Sequence, residues 1–292
     1  MFDGLQRQFP QAFALAERIP NPRVARAPLL WSVLAAFGTA FFVSVAIVVV
    51  LTLFARLFGL PTEWVGGVAM VGATATALGV AYTSGGRDAV LICAGIFVLE
   101  HVLSLVGTMR FCLAIVSDAP FCSPLSYVLG LWPRVLGVAL AYRLVNWWRV
   151  AEGDANPLFE AAGALALAQS VVASILGALL VSTSQFESGL LVLLAAVAGG
   201  VACGRVILRR VPEPRRWGTL GIIALVVIGI WLLVGVPSFV GQVGIGGVIA
   251  VGGLNLIGFA APLVEVGIAA LVLYMAAARK LSAAPGQMPP SV

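Results

Sequence analysis

Histidine and lysine are nearly absent from this chain: 292 residues hold one of each, His101 and Lys280. A lone histidine excludes a bis-histidine haem or a histidine-rich metal centre built from this chain by itself. Four cysteines occur without any CxxC pair, so a zinc site is not expected either. No HExxH, GxSxG or P-loop pattern is present. Charge is scarce as well. Asp, Glu, Lys and Arg make up 10% of the chain, where a soluble domain carries about 25%. So little polar surface cannot cover a globule in water. No cofactor is expected, and no polar stretch is long enough to form a nucleotide-binding domain.

What is there is apolar. Hydrophobic residues are 61% of the chain and the mean hydropathy is +1.07. The net charge of +5 does not point to nucleic acid, because the arginines form no single patch and fall between the apolar runs. That is where topology signals belong. The abundance of Ala, Val and Gly, with Arg in place of Lys, suits a bacterial chain from a GC-rich genome. The expected fold is an all-α polytopic bundle of about eight membrane-spanning helices.

Residues 1–28 do not form a cleavable signal peptide. Phe2, Leu5, Phe9 and Phe13 recur at helical spacing among Arg7, Gln8, Gln11 and Arg18, the pattern of a helix lying on the membrane surface. The transmembrane domain then runs over 29–280, with expected spans at 29–55, 65–84, 89–107, 127–145, 160–182, 189–208, 217–236 and 261–278. Residues 237–260 are apolar and glycine-rich. They are expected to re-enter or lie on the outer surface, because a full extra span would carry Arg279 and Lys280 outside. Residues 281–292 read as a disordered tail. Residues 29–149 and 158–280 each hold half of the spans, as a parallel duplication would.

Eight alternating spans place Arg7, Arg18, Arg23, Arg26, Arg87, Arg149, Arg209, Arg210, Arg215, Arg216, Arg279 and Lys280 on one side. Arg56 and Arg110 fall on the other. The positive-inside rule then puts both termini in the cytoplasm and the protein in the inner membrane. Cys112 and Cys122 fall in a loop on the outer, oxidising side, where a disulfide between them is expected. Cys93 and Cys203 lie within spans and read as small apolar residues.

Against this background four polar residues stand out as site candidates: Glu100, His101, Arg134 and Gln169. Ionisable residues at the bilayer centre cost about 2.5–3.5 kcal/mol each on insertion scales. At 1.5 Å per residue, their depths from the cytoplasmic face come to about 16, 18, 20 and 13 Å of a ~30 Å core. Convergence of Glu100, His101 and Arg134 on a mid-membrane polar cavity follows. Pro133, near the middle of the expected fourth span, would free the Leu129 carbonyl beside Arg134.

Two functional classes fit. One is a small permease or channel-like transporter for a small solute, ion or lipid. The other is a non-catalytic structural or assembly subunit of a larger membrane complex, for which a buried Glu–Arg pair need only fix packing. Expected partners are the bilayer and a second copy or other membrane subunits. An enzyme is disfavoured. Lipid chemistry using Arg134 with Glu100 or His101 would want more polar residues at the interface than Ala151 to Asn156 and Val211 to Arg216 supply.

Overall fold

The computed structural model describes residues 28–114, 130–144, 156–180, 185–235 and 260–282. The expected surface helix before Pro28, Cys122 and its neighbours, the 145–155 boundary, the glycine-rich segment up to Phe259 and the tail from Ala283 lie outside the described residues. All regular structure described is helical: α1 Leu29–Leu57, α2 Glu63–Ala114, α3 Trp132–Leu144, α4 Pro157–Leu179, α5 Gln185–Arg210, α6 Arg216–Ile230 and α7 Ala261–Ser282. A 3-10 turn over Glu213–Arg215 precedes α6, and a π turn over Trp231–Gly235 follows it. Helix α7 therefore runs two residues into the segment expected to be a tail.

Six stretches among the described residues are long and apolar enough to cross a membrane: Leu29–Leu57, Trp64–Arg110, Pro157–Leu179, Gly189–Arg210, Glu213–Leu233 and Ala261–Arg279. Their outward faces carry large apolar side chains, among them Leu57 at 79% exposure and Leu225 at 76%. Apolar patches of this kind mark surfaces meant for something other than water. Several hydroxyls are satisfied inside their own helices: Thr39 donates to the Ala35 carbonyl, Ser84 to Val80 and Thr108 to Ser104. The helices are thus those of a multi-pass membrane protein.

The chain divides into two compact units, 1–163 and 164–292, with the boundary inside α4. In the first unit, α2 is broken at a single residue. Gly86 has φ 71° and ψ −157°, backbone that only glycine adopts cheaply. The 47 residues from Trp64 to Arg110 would extend about 70 Å as one straight helix, over twice the bilayer core. Instead they fold back. Gly85 abuts Ser32 and Gly72 abuts Ile47, so the first arm runs antiparallel to α1. The second arm brings Phe97 to 5.3 Å from Phe37 and runs the other way. The expected turn over Gly85–Asp88 is thus one glycine inside otherwise continuous helix.

Helix α4 begins at a clear signal. Asn156 Oδ1 accepts a bond of 3.0 Å from the Leu158 amide, and Pro157 occupies the first helical position. Gly38 and Gly163 then bring α1 and α4 into backbone contact. A Cβ on Gly38 would fall on the Phe159 carbonyl, and one on Gly163 on the Leu34 carbonyl. With Phe42 stacked edge-on against Phe159, these contacts run in opposite chain directions. Strict alternation of eight spans would give the first and fifth the same direction. Loop charge, on which that expectation rests, carries no information about how two helices cross.

In the second unit, α5 and α7 pack along small residues. A Cβ on Gly200 would meet the Glu265 carbonyl and Ile268; one on Gly204 would lie 2.9 Å from Val272. Both contacts advance together, so α5 and α7 run parallel, and Arg209, Arg210 and Arg279 lie at the same end. The guanidinium of Arg216 closes α5, donating to the Leu208 and Val211 carbonyls at 3.0 Å each.

Candidate functional site

The first unit gathers three of the four residues singled out by sequence. Glu100 lies on the second arm of α2 and Arg134 on α3, and Arg134 Nη2 donates to Glu100 Oε2 at 3.1 Å. The carboxylate is buried behind the guanidinium, at 9% side-chain exposure against 23%. The guanidinium carbon stands 4.3 Å from the centre of the Phe97 ring, whose negative face adds a second favourable contact. Arg134 is thereby neutralised on one side and shielded on another.

Pro133 does not act as expected. It falls in the first turn of α3, directly after Trp132, rather than in the middle of a long span. Gly130 is helical and Leu131 a turn, so the proline sits just after an interruption in the helix, where its missing amide costs little. The next amide that can bond, Val135, reaches the Leu131 carbonyl at 3.0 Å. Leu129 lies outside the described residues.

Above the pair is a cavity of about 340 Å³ between the two arms of α2 and α3. Arg134 and His101 are its ionisable wall residues, and Phe97, Leu131 and a set of valines form the rest. Val98, Val135 and Val138 line it while being 64%, 61% and 48% exposed, so its mouth opens sideways among apolar side chains. Thr74 also lines it. Its residue exposure is 1%, and its hydroxyl, unlike that of Thr39 or Ser84, has no hydrogen-bond partner. The surface of the cavity is almost wholly apolar, and its volume lies at the small end of the ~300–1,000 Å³ range of small-molecule sites.

No protein-family model, curated protein or solved structure matches this chain. The site therefore has to be read from its own chemistry.

Gln169 is not among the residues that line the cavity. It belongs to the second unit, on the part of α4 that faces Gly199 of α5. Two buried acids escaped the sequence reading. Glu160, in the first turn of α4, has no exposed surface, and Glu265 of α7 is 3% exposed. Depth along a helix, on which the choice of candidates rested, says nothing about which face a neighbour covers. Among the described residues no group of three His, Cys, Asp or Glu could hold a metal ion. Cys93 and Cys203 are buried free thiols, as expected of cysteines within spans. Cys112 is buried near the end of α2, and its expected partner Cys122 lies outside the described residues.

Proposed function

We propose that this protein is a small permease whose substrate is an apolar or amphipathic molecule, admitted sideways from the lipid into the cavity above Glu100 and Arg134. The observation that carries this reading is the wall of that cavity. A hydrated ion would meet valines and Phe97 almost everywhere, whereas an acyl or isoprenoid chain would be at home. Arg134 and His101 stand in its wall, but the surface they leave open is almost wholly apolar. Glu100 balances the Arg134 charge, so the site does not demand an anion. In this reading the protein sits in the inner membrane with Arg209, Arg210 and Arg279 at the cytoplasmic face, which rests on the clustering of arginine.

A second reading has one observation in its favour. A groove that opens between exposed valines can also take a helix from another subunit. Native mass spectrometry of the protein extracted gently from its own membrane separates the two. The permease reading expects a monomer or homo-oligomer carrying a lipid-sized adduct that Val138→Trp, filling the groove, removes. A stoichiometric protein partner, lost in the same variant, would replace it with the subunit reading.

A further inference from the structure

Three apolar stretches of the second unit meet at one end. Gly189–Arg210 and Ala261–Arg279 finish there, and Glu213–Leu233 begins there. Gly204 packs on Val272, and seven residues past that contact stand Val211 on α5 and Arg279 on α7. Arg216 ties the start of α6 to the same level through its bonds to the Leu208 and Val211 carbonyls. That bonding occupies Arg216, but Arg205 and Arg209 on α5, Arg215 in the 3-10 turn and Arg279 on α7 are exposed. From 205 to 217 the chain holds five arginines and one acid, Glu213.

Directly beside this charge the surface turns apolar. Trp217 follows Arg216 and is 54% exposed, and Ile222 and Leu225 continue the same side of α6 at 50% and 76%. The opposite side, with Leu220, Ile223 and Val227, is buried. A tryptophan at a span end belongs at the level of the lipid headgroups. Positive charge at a span end orients a helix whatever it touches, and one arginine suffices for that, as with Arg56 in the last turn of α1. Here arginines from three elements adjoin an exposed aromatic and aliphatic face. The guanidinium is a planar fork of N–H donors that fits phosphate oxygens. Basic groups at the ends of packed membrane helices hold anionic headgroups in this way. A soluble phosphate compound would engage the arginines and leave Trp217, Ile222 and Leu225 uncovered.

We propose that this end of the second unit binds an anionic phospholipid, its headgroup taken by Arg209 and Arg215 and its acyl chains laid along the Trp217, Ile222 and Leu225 face of α6. Charge complementarity selects the headgroup, and the apolar face selects a molecule that has chains. The inference stands whether or not the protein is a permease.

The test is native mass spectrometry of the full-length protein, stripped of lipid in detergent and then mixed with phosphatidylglycerol or phosphatidylcholine of identical chains. The wild type should retain phosphatidylglycerol in preference. Arg209→Gln and Arg215→Gln should each lower that preference by about fivefold, and the double variant by both factors. Both side chains are exposed, so the unfolding midpoints in lipid-free detergent should match the wild type. Arg56→Gln, an exposed arginine at the end of α1, should keep the preference. Equal retention of the two lipids by the wild type overturns the inference. So does a preference that survives in the double variant, or one that Arg56→Gln lowers as much. Glycerol 3-phosphate retained as well as phosphatidylglycerol would assign the arginines to a soluble phosphate. A dimer formed in place of the lipid adduct would assign the face to a second copy. Either result also overturns it.

Discussion

At the scale of single residues, the Glu100–Arg134 pair and Thr74 make opposite predictions. Removing one member of a buried ion pair strands the other. Arg134→Ala should therefore cost about 3 kcal/mol, the low end for buried pairs because the guanidinium is partly exposed. Replacing both, as Glu100→Leu with Arg134→Met, should restore most of that loss, because the pair's own desolvation cost goes with it. A double-mutant cycle of unfolding in detergent measures the difference; a double variant as unstable as Arg134→Ala would contradict it. Thr74→Val should do the reverse of most core changes. It deletes a buried hydroxyl that has no partner, worth about 1–3 kcal/mol of relieved desolvation, so the empty protein should gain stability. A loss of stability would mean that the hydroxyl has a structural partner.

At the scale of helices, glycine is used in three different ways, and composition alone does not tell them apart. Gly86 turns the chain, Gly38 and Gly163 let two backbones touch, and Gly95 faces open space. Gly163→Ala should destabilise by about 1–3 kcal/mol, since its Cβ would fall on the Leu34 carbonyl and the helices would have to part. Gly95→Ala should gain up to about 1 kcal/mol from helix propensity with nothing to collide with. Thermal unfolding of the two single variants checks this, and equal effects would contradict the close crossing. The boundaries of most helices were legible in the sequence because caps and breakers are local. Asn156-Pro157 opens α4 and Pro212 precedes the turn before α6. The start of α3 was placed too early because Pro133 marks an interruption without saying on which side it falls, and the turn at Leu131 shows only in the backbone.

At the scale of the molecule, the arginine clusters at the ends of α5 and α7 share one end of the second unit. A fluorescent protein fused after Val292 should therefore mature in the cytoplasm, and alkaline phosphatase fused there should be inactive. The opposite pair of results would invert the orientation. Thiol alkylation of the denatured, unreduced protein should label two of the four cysteines if Cys112 and Cys122 are joined on the outer side. Four labelled cysteines would remove that bond.

The sequence by itself determined that this chain belongs in a membrane and where most of its helices begin and end, and it set Glu100 and Arg134 at matching depths. Those conclusions rest on composition, on local capping chemistry and on the cost of charge in lipid, none of which needs a neighbour. Only the tertiary structure decided the rest. It made the cavity beside Arg134 and His101 an apolar one, put Thr74 in its wall, and buried Glu265 against Gly199. Which face of a helix meets which other helix is set by where side chains are small enough to permit contact, and that is a property of pairs of segments far apart in the chain.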